Sequence, residues 1–559
     1  MNWREREEKR LMAERLVVPS YERDVHDPFL LRDMDKAVAR ILAAINHKEK
    51  ILIFGDYDAD GVPATALLAT VLQWIGHTNF SIYIPDRHNE AFGLSSDAIK
   101  KFSDEKVNLL ITVDCGITDV EEVKLANDLG LEVMITDHHL VPTEASGMQS
   151  LPPALAVVNP KRLDCNYPNK NLCGTGVAFK LAQALLKQGE FKNVNEGREK
   201  WLLDLVAIAT VADMVALTGE NRALTYFGLT VLQKTKRLGL LALCKQLKLN
   251  PRFITEDDIG FSLAPRINSA SRMSHASEAY ELLMSEDEAT ANTIAATLEG
   301  RNGERKSLVE EILKQAEKLI GDDQNNIVVV GRADFSLGVL GLAASRLVEK
   351  YHKPVFVWGV NGVGEVKGSC RSDGSINMVE LMRACGDDFF TNLGGHVMAG
   401  GFSLPLGKEG ELSEKLNKAF IAADKKEVER EIIYDGELSL DEVTNDTYNF
   451  IRQFGPFGVD NEKPLFLFKD LVVSEVKMFG NGGLHLELKF KNTVGKSIPA
   501  IGFFFRPKAD PCPMAGAAPR ADNITFAPDD KVSLLASVEK SYFRRFPELR
   551  LRLVDIKKV

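Results

Sequence analysis

From about residue 49 onward, short apolar runs alternate with amphipathic stretches, a pattern that predicts a mainly parallel sheet with helices on both faces. ILIF (51–54), SIYI (81–84), VNLLITV (107–113), LEVMIT (131–136) and ALAVV (154–158) read as strands buried on both faces, with helical segments such as 62–75 and 118–129 between them. Helical periodicity dominates 174–320 and ends where Leu308, Ile312, Ala316 and Leu319 recur at helix spacing, which predicts a spacer between domains. A second α/β unit is predicted from IVVVGR (327–332) through PVFVW (354–358) to about residue 428. The alternating runs LHLELKF (484–490) and VSLLASV (532–538) then predict a small β-barrel. Between them, KADPCPMAGAAPRAD (508–522) reads as a loop insertion. The resulting division is 1–230 for an N-terminal segment with the parallel sheet, 231–320 for a helical core, 321–430 for the second α/β domain and 431–559 for the barrel.

Composition changes this picture little. The 559 residues suit three or four domains at roughly 100 to 200 residues each. No apolar run approaches the roughly 18 residues of a membrane span. The opening MNWREREEKR lacks the apolar core of a signal peptide, so a cytoplasmic location and no membrane partner are expected. Seven cysteines, at 115, 165, 173, 244, 370, 385 and 512, form no C-x-x-C pair and suggest reduced thiols rather than a zinc site or disulfide framework. A net charge of −10 excludes a wholly basic nucleic-acid coat but leaves room for a local basic groove. The last 19 residues carry six Lys or Arg against two acids, interleaved with Tyr542, Phe543 and Phe546.

The candidate chemistry lies where the predicted strands end. In a parallel sheet, ligands bind beyond the carboxyl ends of the strands. Asp56, Asp58 and Asp60 in GDYDADG follow the first run, Asp114 follows the third, and Asp137, His138 and His139 follow the fourth. Crowded carboxylates raise one another's pKa unless a positive charge sits among them. Any one of these turns alone could be a solvated polar loop; three strand ends delivering such groups to one edge point to a divalent cation.

GDYDADG, VDCG (113–116), DHH (137–139) and ATVADMV (209–215), in this order, closely resemble the DHH phosphoesterase family. PRINSASRM (265–273), GRADFSLGVLGLAASRLVEKYHKP (331–354), KGSCRS (367–372) and GGHVMAGGF (394–402) extend the resemblance to its members with a DHHA1 domain. FGPFGVDNEKPLF (454–466) and the barrel resemble the later, OB-fold domain of the family's single-strand-specific exonucleases. The resemblance implies an α/β fold with a parallel-sheet DHH domain, a helical linker, a DHHA1 domain and an OB-like barrel.

It further implies two ions, Mn²⁺ or Mg²⁺, the hard metals that a mainly oxygen ligand set suits. Asp58 and Asp114 would hold one; Asp60, Asp114, His138 and Asp213 would hold the other. Asp56 and Asp137 would ligate or orient ligands, and His139 would contact the scissile phosphate. Arg87, Arg266, Ser369, Arg371 and His396 would bind the backbone or terminal phosphate of a nucleic acid. Phe543 and Phe546, beside Arg544 and Arg545, would suit base stacking and phosphate contact. Where many superfamily members have a histidine this chain has Phe54, which cannot ligate, and Cys370 and Ser271 stand where glycine is common.

The implied activity is 5′-to-3′ hydrolysis of single-stranded DNA to nucleoside 5′-monophosphates, in repair and recombination. A single-strand-binding protein and a recombination helicase would be partners. Two other readings remain at this level: a phosphodiesterase of short oligonucleotides or cyclic dinucleotides, and a non-catalytic single-strand-binding scaffold. The third domain argues against the first, and the complete set of candidate ligands argues against the second.

Overall fold

The computed structural model describes residues 18–90, 92–143, 147–321, 325–362, 364–386, 388–423, 433–480, 483, 485–503, 526–542 and 547–559. They group into two compact units: residues up to Gly303 with Gln453–Lys463, and Glu304–Arg452 with Pro464–Val559. Loop 508–522, Cys512 and the Phe543–Phe546 cluster lie outside the described residues.

In the first unit, β1 (Ile51–Gly55), β2 (Phe80–Tyr83), β3 (Leu109–Val113), β4 (Glu132–Thr136) and β5 (Ala156–Val158) form one parallel sheet in the order β2-β1-β3-β4-β5. Alternate residues of β1 enter different cores, Ile51 and Ile53 on one face and Leu52 and Phe54 on the other, as the two-residue period of a strand requires. Each such fully buried Ile or Leu contributes about 1.5–3 kcal/mol. β2 departs from the expectation of burial on both faces. It is half-buried along its length because it is the sheet's edge.

Helix α1 (Gly61–Trp74) is buried from Gly61 through Leu72, which its nearly uninterrupted apolar sequence dictates. It packs against α2 (Gly174–Gln188) and α3 (Leu203–Ala212). Then follow α4 (Gly219–Leu232), α5 (Ala264–Met273) and the 33-residue α6 (Glu288–Ile320), which is continuous across the boundary between the units. The apolar stripe of α6 is offset from the predicted one. Val309, Ile312, Leu313, Ala316 and Ile320 are buried, whereas Leu319 is 56% exposed.

The second unit carries a mixed sheet of β6 (Val328–Gly331), β7 (Val355–Val360), β8 (Glu365–Arg371), β9 (Asn392–His396) and β10 (Ala399–Pro405), ordered β6-β7-β8-β10-β9. Between β6 and β7 lies α7 (Leu340–Tyr351). The barrel follows: β11 (Gly436–Glu437), β12 (Phe466–Phe479), β13 (His485–Lys491), β14 (Ser497–Gly502), β15 (Lys531–Ser541) and β16 (Glu548–Lys558). Pairing runs β12-β13-β14-β16-β15 and returns to β12, closing five strands, with β11 added alongside β12. Irregularities at Phe468/Leu471 and Val473/Glu475 let the long β12 bend between its two partners. Among the described residues no helix is long and apolar enough to cross a membrane.

Candidate metal centre

The strand ends of the first sheet bring the acidic motifs together, and local hydrogen bonds fix the carboxylates of Asp58, Asp60 and Asp137. Asp58 Oδ1 accepts from the backbone N–H groups of Asp60 (2.7 Å) and Gly61 (3.1 Å), closing the turn into α1. Asp60 accepts from the first N–H groups of α2, Gly174 (2.6 Å) and Thr175 (2.6 Å), where the helix dipole favours negative charge. Thr175 Oγ1 donates to the Asp60 carbonyl at 2.6 Å, so both ends of the residue are held. Asp114 follows β3 with a left-handed φ of 63°. A Cβ at Gly174 would lie 2.3 Å from Asp114 Oδ1, so only glycine lets the start of α2 approach both aspartates.

From the end of β4, His138 Nε2 lies 3.2 Å from Asp114 Oδ1, 3.7 Å from Asp213 Oδ2 and 3.8 Å from Asp60 Oδ2. Asp213 caps the end of α3. Two sets of potential ligand atoms converge to within 4.8 Å, Asp60–His138–Asp213 and Asp56–Asp58–Asp114, and Asp114 also groups with His138 and His139. The buried oxygens Asp56 Oδ1 and Asp114 Oδ1 accept no hydrogen bond from the described residues. Leaving an anionic oxygen buried and unsatisfied is costly, and cations between these groups would satisfy them, so the residues present fit a pair of hard divalent ions.

The electrostatics agree. Burial, then the charges of Asp60 and Asp58, pushes Asp114 well above the usual carboxylate range. Burial and Asp58 do the same to Asp56 and raise Asp60 to about 6. Burial, then Asp60 and Asp58, raises Asp213 to about 8. His138 is pushed down to about 3 by burial and by His139, which leaves it the neutral imidazole that ligation requires.

His139 is the opposite case. Burial opposes its charge, but the 2.8 Å hydrogen bond from Nδ1 to Asp137 Oδ1 and the field of Asp137, Asp56 and Asp213 hold it at about 9. Asp137 stays below its ordinary value despite burial because of that partner. Its Oδ1 also accepts from the backbone of His138 and His139, and its Oδ2 from Ile117 N. Oδ1 thus orients the histidines, and Oδ2 ties the carboxylate to the loop after β3.

The predicted phosphate-binding residues divide. The Arg87 guanidinium lies 4.8 Å over the ring of Tyr57, within the acidic loop. Arg266 is instead engaged by Glu299 (2.7 Å) and by the carbonyls of Phe261 and Ser262 on its own helical segment. In the second unit, Arg371 of β8 lies opposite Ala399 of β10, which lies opposite His396 of β9. Arg371 also donates to Ser369 Oγ at 3.1 Å, so Ser369, Arg371 and His396 share one end of that sheet. A Cβ at Gly341, in the first turn of α7, would meet Arg371 Nη2 at 2.8 Å, a close approach that glycine permits.

Sequence reasoning passed over three residues. Asn268, in the quoted PRINSASRM, accepts from Ala59 N at 2.9 Å and ties α5 to the acidic loop. Phe92 is 46% exposed, with its ring centre 5.8 Å from His139 and 6.4 Å from Tyr57. Lys161 adds positive charge beside Asp213, Asp137 and His138, its own pKa lowered by burial. Asn268 carried a signal as a polar residue inside a quoted motif; the other two lie on loops whose course no periodicity reveals.

Models of three domains match this chain: the DHH family N-terminal domain over residues 50–210, the DHHA1 domain over 324–422 and the RecJ OB domain over 434–555. The RecJ single-stranded-DNA-specific exonuclease of Bacillus subtilis is 38% identical over 88% of this chain, which spans 60% of that protein's length. The RecJ of Haemophilus influenzae is 31% identical over 85% of this chain and 84% of its own, and that of Escherichia coli 34% identical over 78% of each. A crystal structure of RecJ with Mn²⁺ from Thermus thermophilus superposes with a TM-score of 0.76 at 26% identity, covering 95% of this chain and 72% of that one. With these three domains matched in succession and relatives at 31% and 34% identity covered over 84% and 78% of their own length, the chain belongs to the RecJ family of single-stranded-DNA-specific exonucleases.

Proposed function

We propose that this protein degrades single-stranded DNA from its 5′ end by two-metal phosphodiester hydrolysis, releasing nucleoside 5′-monophosphates. The observation that carries the reading is the intact ligand cluster, in which two buried carboxylate oxygens accept no hydrogen bond from the described residues. Asp56, Asp58 and Asp114 would hold one Mn²⁺ or Mg²⁺; Asp60, Asp114, His138 and Asp213 would hold the other. Asp56 would serve where Phe54 cannot ligate. Such a pair supplies an activated water and stabilises the leaving oxygen.

Protein groups do the remaining work. His139, kept protonated by Asp137, places positive charge on the scissile phosphate. Arg87 adds a guanidinium suited to phosphate oxygens. The exposed ring of Phe92 offers a nucleobase a stacking surface. Ser369, Arg371 and His396 bind the 5′-terminal phosphate, which sets polarity. In the barrel, Phe503 lies 5.2 Å from Arg552 and 5.4 Å from the His485 ring, a combination suited to single strands. In this division of labour, the DHH part within 1–230 cuts, 321–430 grips the end and 431–559 adds affinity. A cytoplasmic setting and a role in repair and recombination, beside a single-strand-binding protein and a helicase, complete the proposal.

The test is degradation of end-labelled single-stranded DNA, duplex DNA and dinucleotides with Mn²⁺ or Mg²⁺. Mononucleotides released from the 5′ end of single strands are expected. Preference for dinucleotides, or binding of single strands without cleavage, would overturn the proposal.

A further inference from the structure

The segment Gln453–Lys463 precedes the barrel strand β12 in sequence, yet it packs with the first unit. Its polar contacts there are specific. Leu217 N donates to Val459 O at 2.8 Å. The buried Arg222 of α4 donates from Nε to Phe454 O (3.2 Å) and from Nη2 to Gln453 O (2.9 Å). Phe457 N donates to Glu256 Oε1 (3.2 Å), and Lys463 pairs with Asp257. The segment is also braced within itself. Gly458 and Asn461 exchange backbone hydrogen bonds, and the Asn461 side chain, 8% exposed, donates to Phe454 O (3.0 Å) and Pro456 O (2.8 Å).

These contacts fall on the connection that follows Asp213, on α4 and on the helical run that leads to Asn268. Leu217 lies four residues after Asp213, at the end of the short connection from α3 to α4. A Cβ at Gly458 would come within 2.5 Å of Leu217 Cδ1, so the segment's backbone is seated directly on that connection. Glu256 and Asp257 begin the helical run that continues through a π-helical turn (Ile259–Leu263) into α5, whose Asn268 holds the acidic loop. Met214, beside Asp213, is 70% exposed and has a left-handed φ of 56°. Nothing in Met214 itself favours that conformation, so the connection relies on its surroundings to keep Asp213 in place.

We infer that Gln453–Lys463 is a clasp that positions Asp213 for metal binding, with Asn461 and Val459 acting through the Leu217 connection rather than touching the ion. The inference rests on the reading of Asp213 as a ligand. Supporting groups of this kind typically contribute 10- to 100-fold to metal affinity.

The test is Mn²⁺ titration of the full chain by calorimetry, without DNA, for the unaltered protein, Asp213→Ala and Asn461→Ala. Asn461→Ala is expected to weaken one Mn²⁺ event about tenfold, the same event that Asp213→Ala abolishes, and to leave the other unchanged. Excess Mn²⁺ should restore its nuclease rate, which a misfolded protein would not show. Lys463→Met loosens the other end of the clasp and should weaken the same event less, which keeps the test available if Asn461→Ala fails to fold. If Asp213→Ala binds Mn²⁺ as the unaltered chain does, the ligand reading fails. If Asp213→Ala loses the event but Asn461→Ala and Lys463→Met bind normally, the clasp alone is overturned.

Discussion

Asp114 groups with Asp56 and Asp58 and also with His138 and His139, and its position is closely constrained. A left-handed backbone, the close approach of Gly174 and a buried oxygen that accepts no hydrogen bond from the described residues all converge there. Asp114→Ala is therefore expected to lower hydrolysis by about 10³-fold or more while circular dichroism and single-strand binding stay near normal. Metal-dependent turnover near the unaltered rate would remove it from the proposed ligand set. The same crowding sets a pH dependence. With Asp60 raised to about 6 and Asp213 to about 8, the metal-free fold retains protons that unfolded carboxyls, titrating near about 4, have already lost. Where the folded state binds more protons, stability falls as pH rises, so the metal-free protein should lose stability between about pH 4 and about pH 8. Saturating Mn²⁺ should abolish that slope, and Mn²⁺ affinity should weaken as pH falls from about 8 to about 6, both readable from melting curves and calorimetry. At this scale the grouping of the candidate ligands was legible because they follow recognisable apolar runs. The surroundings of Arg266 were not: its motif gave no sign of Glu299, 33 residues away, which pairs with its guanidinium.

The helices and strands that deliver these residues were legible in proportion to how directly periodicity reports burial. β1 and β3 are buried along their length, as their unbroken apolar runs require. β2 has a similar run but becomes an edge, because strand order is decided by packing between elements that no local pattern encodes. On α6 the helix was right and its buried face was offset, since several apolar residues lie close together and the partner surface selects among them. The start of α2 is the element on which the centre depends most. Gly174→Ala should cost about 1–3 kcal/mol in urea denaturation and, by displacing Asp114 and the N–H groups that hold Asp60, weaken Mn²⁺ about tenfold. Unchanged Mn²⁺ affinity would mean that the aspartates adjust freely. In the second sheet, strand register sets Arg371 and His396 on one end, and a guanidinium there favours a terminal phosphate over an internal diester because the end offers more charge and more acceptor oxygens. Arg371→Ala should therefore slow degradation of 5′-phosphorylated single strands much more than of 5′-hydroxyl strands. Equal losses on both, measured as initial rates with a 3′ label, would exclude it from recognising the end.

At the scale of the whole chain, the sequence order of parts is not their grouping in space. The stretch 454–466 was read with the barrel, as its place in the sequence suggests, yet Gln453–Lys463 packs with the first unit and returns to the barrel only at β12. Hydrogen bonds to residues about 200 positions earlier cannot be seen in local pattern. The consequence is that two truncations, which sequence order would treat as near equivalents, should behave differently. A chain ending after Lys463 loses the closed five-stranded barrel, whose strand pairings are satisfied within itself, and keeps the hydrogen bonds and ion pair of the clasp. It should bind long single strands more weakly, and the salt dependence should flatten by about 0.7 in log–log slope for each phosphate that the protein no longer neutralises. Its Mn²⁺ affinity should stay near that of the full chain. A chain ending after residue 430 loses both barrel and clasp, and should in addition bind one Mn²⁺ about tenfold more weakly and need more Mn²⁺ to reach its maximal rate on a short oligonucleotide. Salt-dependent DNA binding and Mn²⁺ calorimetry on the pair separate the two effects. If the longer truncation product already shows the metal defect, the barrel itself supports the centre; if both keep full DNA affinity and salt slope, the barrel's purpose is not to hold the strand.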